Sequence, residues 1–257
     1  MSPDLTRRRL LGAAGAAGLA LVAGCGDDGE QSAATTTATP QATSGSGAQA
    51  LLDAANSCSV APELTQGPYY FDADRVRSDI REDRDGVVMR LALRVQQGGE
   101  CTPVKDAVVS IWHCDALGSY SGFEGGGGGP PAPSGGDQEA TPSDETRYLR
   151  GEQVTDGDGV VEFVTIYPGW YRGRAVHAHL KVFLDSKTAV TTQLFFDEGF
   201  TDGIYAAEPY SSTGERDVRI EADGVYSQAD AEGTPLLLTL KRDGDQVLAA
   251  GNIVVAA

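Results

Sequence analysis

Gly169–Phe183 reads GWYRGRAVHAHLKVF. From Val176 onward it is a run of apolar residues broken at every second position, the period of a β-strand. Alternate side chains of a strand share a face. His177 and His179 therefore point one way and Ala178 the other. The chain has 257 residues and only three histidines. Two of them sit here, one residue apart. Two imidazoles on one strand face make a metal grip. A solvated face that happens to carry two histidines is the alternative, and spacing alone does not choose between them.

The same period recurs on both sides of this stretch. VVMRLALRVQ (87–96), DAVVSIWHCD (106–115), GVVEFVTIY (159–167), TTQLFF (191–196) and PLLLTLKR (235–242) all read as short strands. DRDG, TDGDG, YPG and KRDGDQ punctuate them as turns. No helical stripe of useful length competes. The expectation is an all-β fold: a β-sandwich of mostly antiparallel strands with long loops. The low-complexity stretch Gly122–Thr146, GFEGGGGGPPAPSGGDQEATPSDET, interrupts it as a Gly/Pro-rich insertion on the surface.

Composition agrees with a globular chain. Hydrophobic residues make up 40%, enough for a real core, and 33 glycines against two methionines fit many turns. The net charge of -17 argues against nucleic acid or an anionic membrane surface as a partner.

The first 25 residues read as an export signal. Arg7–Arg9 precede an apolar run, Leu10–Ala23, too short for a comfortable membrane span. TRRRLL resembles a twin-arginine signal. VAGC, ending at Cys25, resembles a lipidation box, which would make Cys25 the lipid-bearing mature N-terminus. Residues 26–57 begin with Gly, Ser, Thr, Ala and Gln and offer little to bury, so they read as a disordered tether. The folded domain is then 58–257. The expected location is outside the cytoplasm, anchored to the outer face of the membrane by Cys25 or secreted, with the membrane touched only through that anchor.

Outside the cytoplasm a disulfide is permitted. Beyond Cys25 three cysteines remain, so one is left over. Spacing does not decide the pairing. Cys58 and Cys101 flank strand-like runs and are preferred, while Cys114 lies in an apolar strand and reads as a buried thiol.

Several fragments then occur in a telling order: W-x-x-x-x-x-G-x-Y ending at Tyr120, T-D-x-D-G, T-I-x-P-G-x-Y ending at Tyr171, R-x-x-H-x-H from Arg174 to His179, and T-Q-L-x-F. This order resembles the intradiol ring-cleavage dioxygenases, the catechol and protocatechuate dioxygenases and their exported relatives. The resemblance runs from about Cys58 to the mid 190s. It implies a β-sandwich holding one non-haem ferric ion, Fe(3+), with Tyr120, Tyr171, His177 and His179 as its ligands. It implies that a small aromatic diol and O2 react there, the ring opening between its two hydroxyl-bearing carbons to a cis,cis-muconate-type product. Tyr171 would be displaced by the diol and act as base. The chemistry is coherent on its own terms, because a ferric ion is hard and suits phenolate oxygens, with imidazole acceptable too.

By the same resemblance Arg174 and Gln193 would be catalytic through electrostatic stabilisation, Arg174 supporting carbanion character on the activated ring. Pro68 and Tyr69, in TQGPYY, would contact the substrate. The bland alternatives are a surface arginine and a packed turn. His113 is surplus to the four-ligand set and reads as structural. Asp156 and Asp158 look like part of a calcium loop but suit a tight β-turn better.

The chain departs from the soluble catechol dioxygenases in lacking a long helical N-terminal segment, and the Gly-rich insertion directly follows Tyr120. Substrate size and oligomeric state stay open, a monomer included. The rival class is a non-catalytic cell-surface β-sandwich that binds carbohydrate or an aromatic polymer. A zinc or copper site built on the H-x-H pair is another.

Overall fold

Residues 47–55, 58–123, 139–231 and 236–256 are described in a computed structural model of the chain. Their strands are β1 (Val88–Gln97), β2 (Thr102–Pro103), β3 (Val108–Trp112), β4 (Arg150–Val154), β5 (Val160–Ile166), β6 (His177–Leu184), β7 (Lys187–Phe195), β8 (Leu236–Leu237), β9 (Thr239–Asp243) and β10 (Gln246–Val255). They form two sheets. In the first, β1 lies between β10 on one side and β2 and β5 on the other, with β9 beyond β10; in the second the order is β4-β3-β6-β7-β8. Pairing is antiparallel except for β1 with β10 and β7 with β8. The expected all-β sandwich is what the chain forms.

The core lies between the sheets, and period two builds it. Met89, Leu91, Leu93 and Val95 of β1 meet Ala178, Leu180 and Val182 of β6 in one buried cluster. Their alternates point outward: Arg90, for instance, pairs with Glu162 at 2.9 Å across β1 and β5. Strand β10 was not legible as alternation. Nine of its ten positions are buried, and such a strand reads as a continuous apolar run.

Two expectations need correction. The tether does not extend through residues 47–55. Helix α1 (Gln49–Leu52) lies there, and Ala48 and Leu52 pack on Ala92, Leu248 and Ala250 of β1 and β10. Asn252 Nδ2 also donates to the carbonyl of Leu52 at 3.1 Å. The burial of Leu52, Ala48 and Ala55 suffices to dock what composition marks as polar linker. The second concerns helices. Helices α2 (Glu198–Tyr205) and α3 (Gly224–Ala231) fill the stretch after β7. Each is about two turns long, too short for a helical stripe to stand out.

Cys58 and Cys101 form a disulfide, with Cα atoms 5.7 Å apart, and Cys114 is the buried free thiol. Asp156 closes a tight turn: its Oδ1 accepts from the N–H groups of Asp158 and Val160. The proposed signal, Cys25 and residues 26–46 lie outside the described residues, as do 124–138 of the Gly-rich insertion. Near its two ends the insertion is tied together, because Gly122 N–H donates to Thr146 Oγ1 and Ser143 N–H to the Gly122 carbonyl. No helix among the described residues is long and apolar enough to cross a membrane.

Candidate metal centre

The core takes the Ala178 face of β6, so His177 and His179 occupy the outer face of the second sheet. They are nevertheless 2% and 1% exposed, because loops cover that face. Register lines up Arg150, Trp112, His179 and Gln193 side by side across β4, β3, β6 and β7. The Trp112 ring stacks on the His179 imidazole at 4.9 Å and 6°. The segment through Tyr69 and Tyr70 joins Trp112 of this row to Tyr120 and Tyr171 in one aromatic cluster.

Tyr120 and Tyr171 arrive on two loops locked together. Gly169 N–H donates to the Asp115 carbonyl at 3.1 Å, and Cys114 Sγ to the Gly169 carbonyl at 3.3 Å. Gly118, with φ of 86°, passes so close to Trp170 that a Cβ there would stand 2.3 Å from its carbonyl oxygen. Only glycine allows that approach. The G-x-Y spacing thus has a mechanical reason: the glycine brings one tyrosine loop against the other.

The donors converge on one spot. His177 Nδ1–H donates to the Ala175 carbonyl at 2.7 Å, which leaves Nε2 unprotonated. That Nε2 lies 3.1 Å from His179 Nε2 and 3.2 Å from Tyr171 Oη. Tyr120 stands edge-on to Tyr171 and His179, with ring centroids 5.7 and 6.1 Å away. Its hydroxyl is buried near that of Tyr171, yet no well-formed hydrogen bond satisfies it. An unsatisfied hydroxyl and an unprotonated imidazole nitrogen aimed into one small space suit a cation. Among the described residues no three His, Cys, Asp or Glu side chains form a metal cage by themselves, so a set of this kind requires the tyrosines.

Electrostatics are consistent with that. Burial, then the Arg174 charge, pulls the His177 pKa down to about 3. Burial, then His177, holds His179 well below the usual imidazole range. Both are therefore neutral, the form that binds metal. Burial raises both tyrosines, Tyr120 well above the phenol range, so without a cation both stay protonated. A bound cation inverts that preference.

Arg174 sits at the edge of this cluster. Its Nη1 is 3.5 Å from His177 Nε2, and its Nη2 donates to Gln193 Oε1 at 2.7 Å. Gln193 is fully buried and its Nε2 donates to the Thr65 carbonyl at 2.8 Å. Tyr69 stacks on Tyr120 at 4.4 Å and 16°, and Pro68 is half-buried beside it. His113 lies elsewhere: it bonds Thr165 Oγ1 of β5 and the Cys114 carbonyl, tying the two sheets.

Sequence reasoning missed Trp112 as the platform for His179, and it missed Asp223. The carboxylate of Asp223 is fully buried and takes Arg174 Nε–H at 2.8 Å. Locally its only signal is an aspartate before a helix, and the partner is 49 positions away.

The chain is similar to several known proteins. Residues 61–230 match the family model described as Dioxygenase. The intradiol ring-cleavage dioxygenase from Tetranychus urticae is 32% identical, with a TM-score of 0.70 over 77% of this chain and 95% of that one. Catechol 1,2-dioxygenase 1 from Acinetobacter lwoffii is 29% identical over 155 residues, 51% of this chain and 45% of that protein. A chlorocatechol 1,2-dioxygenase from Pseudomonas sp. strain P51 is 26% identical over 157 residues, 52% of this chain and 55% of that protein. The chain spans about half the length of the curated relatives it matches.

Proposed function

The chain belongs to the intradiol ring-cleavage dioxygenase family, and from that membership we propose that it is a non-haem ferric dioxygenase. Its substrate would be a small catechol-type diol, opened by O2 between the two hydroxyl-bearing carbons to a cis,cis-muconate-type product. The observation that carries this reading is the convergence of two neutral imidazoles and two phenols at a buried spot, with His177 Nε2 left bare by the Ala175 carbonyl.

In this reading Tyr120, Tyr171, His177 and His179 hold Fe(3+). When bound, the ion supplies Lewis acidity that draws electron density from a chelated diol. The protein does the rest. The Ala175 carbonyl fixes the His177 tautomer, and Trp112 fixes the plane of His179. Tyr171, only partly buried, is the ligand able to leave and to accept a diol proton on Oη. Arg174 lies where a cation can stabilise negative charge on the ring, and Tyr69 offers an aromatic wall. The intact set Tyr120, Tyr171, His177 and His179 speaks against a non-catalytic surface module.

The test is the visible spectrum of the purified, iron-loaded protein before and after catechol is added without oxygen. A tyrosinate-to-iron band that shifts with catechol, followed by one O2 consumed per diol when air is admitted, is the expected result. A colourless iron-loaded protein sinks the proposal.

Export and lipid anchoring at Cys25 are part of the same proposal, supported by the order of arginines, apolar run and cysteine. Cys25→Ala is expected to release the protein from the membrane fraction; unchanged partitioning refutes the anchor.

A further inference from the structure

A buried charge is costly unless paired and hydrogen-bonded. Arg174 and Asp223 meet that condition in an asymmetric way. Asp223 Oδ2 accepts from Arg174 Nε at 2.8 Å and from Ala175 N–H at 2.8 Å. Its Oδ1 accepts from the backbone N–H groups of Val225 and Tyr226 at 2.9 and 3.0 Å, the start of α3, with Arg174 Nη2 at 3.4 Å. Gln193 Oε1 takes Nη2 as well. The guanidinium is thereby gripped along one edge. Nη1 is left facing His177 Nε2.

We propose that Asp223 is a positioning residue: its carboxylate ties the guanidinium of Arg174 to the start of α3, so that the Nη1 edge is presented to the metal-side corner of the pocket. A rotamer-rich side chain is thus held in one pose before substrate arrives, and the pose depends on a helix far along the chain. The anchor of α3 is itself packed: Ala229 joins Leu64, Ala175, Phe195 and Ile220 in a small buried cluster. The same aspartate also clamps the backbone at Ala175, whose carbonyl sets the His177 tautomer. One carboxylate accordingly fixes both the arginine and the peptide next to it. A neutral amide cannot replace it. With the oxygen of Asn capping α3, its NH2 would oppose Arg174 Nε–H and Ala175 N–H, both of them donors.

This inference rests on the dioxygenase reading for its kinetic consequence, though not for the geometry. The separating variant is Asp223→Ser. Serine caps helices well but is too short to reach Arg174. In the full chain, Asp223→Ser is expected to keep the resting iron band and to lower kcat/KM about a hundredfold, the scale of a misplaced catalytic group. In an Arg174→Met background the same change should cost far less, because the loss that runs through the guanidinium is already taken and only the Ala175 contact remains. Equal losses in both backgrounds would mark Asp223 as a purely structural residue and overturn the proposal, as would full activity of Asp223→Ser. A second readout needs no turnover. In the iron-free full chain the Arg174 Nε–H nuclear magnetic resonance signal should exchange slowly, and Asp223→Ser or Asp223→Asn should abolish that protection. Unchanged protection refutes the proposal. If the wild type fails to cleave any diol, the dioxygenase reading falls and this exchange measurement alone decides the positioning role.

Discussion

His177 and His179 face each other through their Nε2 atoms at 3.1 Å, and burial disfavours charge on either. Two bare nitrogens so close repel unless a proton or a cation lies between them. His177 gives its own ring proton to Ala175. Within the metal-free chain the shared proton must then come from His179, whose Nδ1 is left buried without a partner. A cation at this spot removes the repulsion between the two Nε2 atoms.

Each histidine is therefore expected to be indispensable for metal. His177→Ala and His179→Ala should each weaken iron retention at least about tenfold, as loss of a metal site's own partners does. Iron per protein after gel filtration measures it. Full iron content in either variant would exclude that residue as a ligand.

Gly67 should be as sensitive as a ligand, although it touches no metal. Its φ is 73°, and a Cβ there would sit 3.0 Å from His179 Cε1. Gly67→Ala meets a left-handed backbone penalty of about 1–2 kcal/mol, and its methyl presses on the imbedded imidazole. The expected outcome is a lower melting temperature together with a shifted or weakened tyrosinate band. A variant that melts lower with an unaltered band would confine the effect to the backbone.

The Cys58–Cys101 bridge closes a loop of 43 positions. Chain entropy then assigns it about 4 kcal/mol. The double variant Cys58→Ser with Cys101→Ser should lose stability on that scale in urea at neutral pH. Iron binding should survive where the fold does, because Cys101 lies between β1 and β2 of the first sheet and the histidines lie on β6 of the second. A loss below about 1 kcal/mol would show that the reduced chain retains compensating order.

Acid stability should depend on His113. Burial lowers its pKa from 6.5 to about 4. It is neutral in both states at pH 7. Below pH 6.5 the unfolded chain takes up the proton first, so stability falls as pH drops and the loss levels off near pH 4. The full effect is roughly 3 kcal/mol. His113→Gln should make the urea-stability profile shallower between pH 6.5 and 4 by that share, whatever its stability at pH 7, while buried His177 and His179 keep their own contribution. Parallel profiles for wild type and variant would refute the assignment.

Much of this protein was legible residue by residue. Period two in VVMRLALRVQ and VHAHLKVFL set the strands, because a pleated strand must alternate its faces. H-x-H placed two imidazoles on one side for the same reason, and the ordered motifs around Tyr120, Tyr171 and Arg174 marked the other members of the site. Strand β10 escaped because burial on both faces erases alternation. The stretch around Leu52 escaped because docking one small helix takes only a few apolar atoms.

Tertiary structure alone decided the remainder. Nothing in the local pattern says that His177 and His179 turn away from the core, or that loops carrying Tyr69, Tyr120 and Tyr171 bury them. Nothing local pairs Asp223 with Arg174 or lays Trp112 on His179. Those partners lie between 49 and 67 positions apart along the chain. Sequence periodicity fixes which way a side chain points along its own strand. Which neighbour it meets is set by sheet order and loop packing, and there the energy of burial is shared among residues that no short stretch contains.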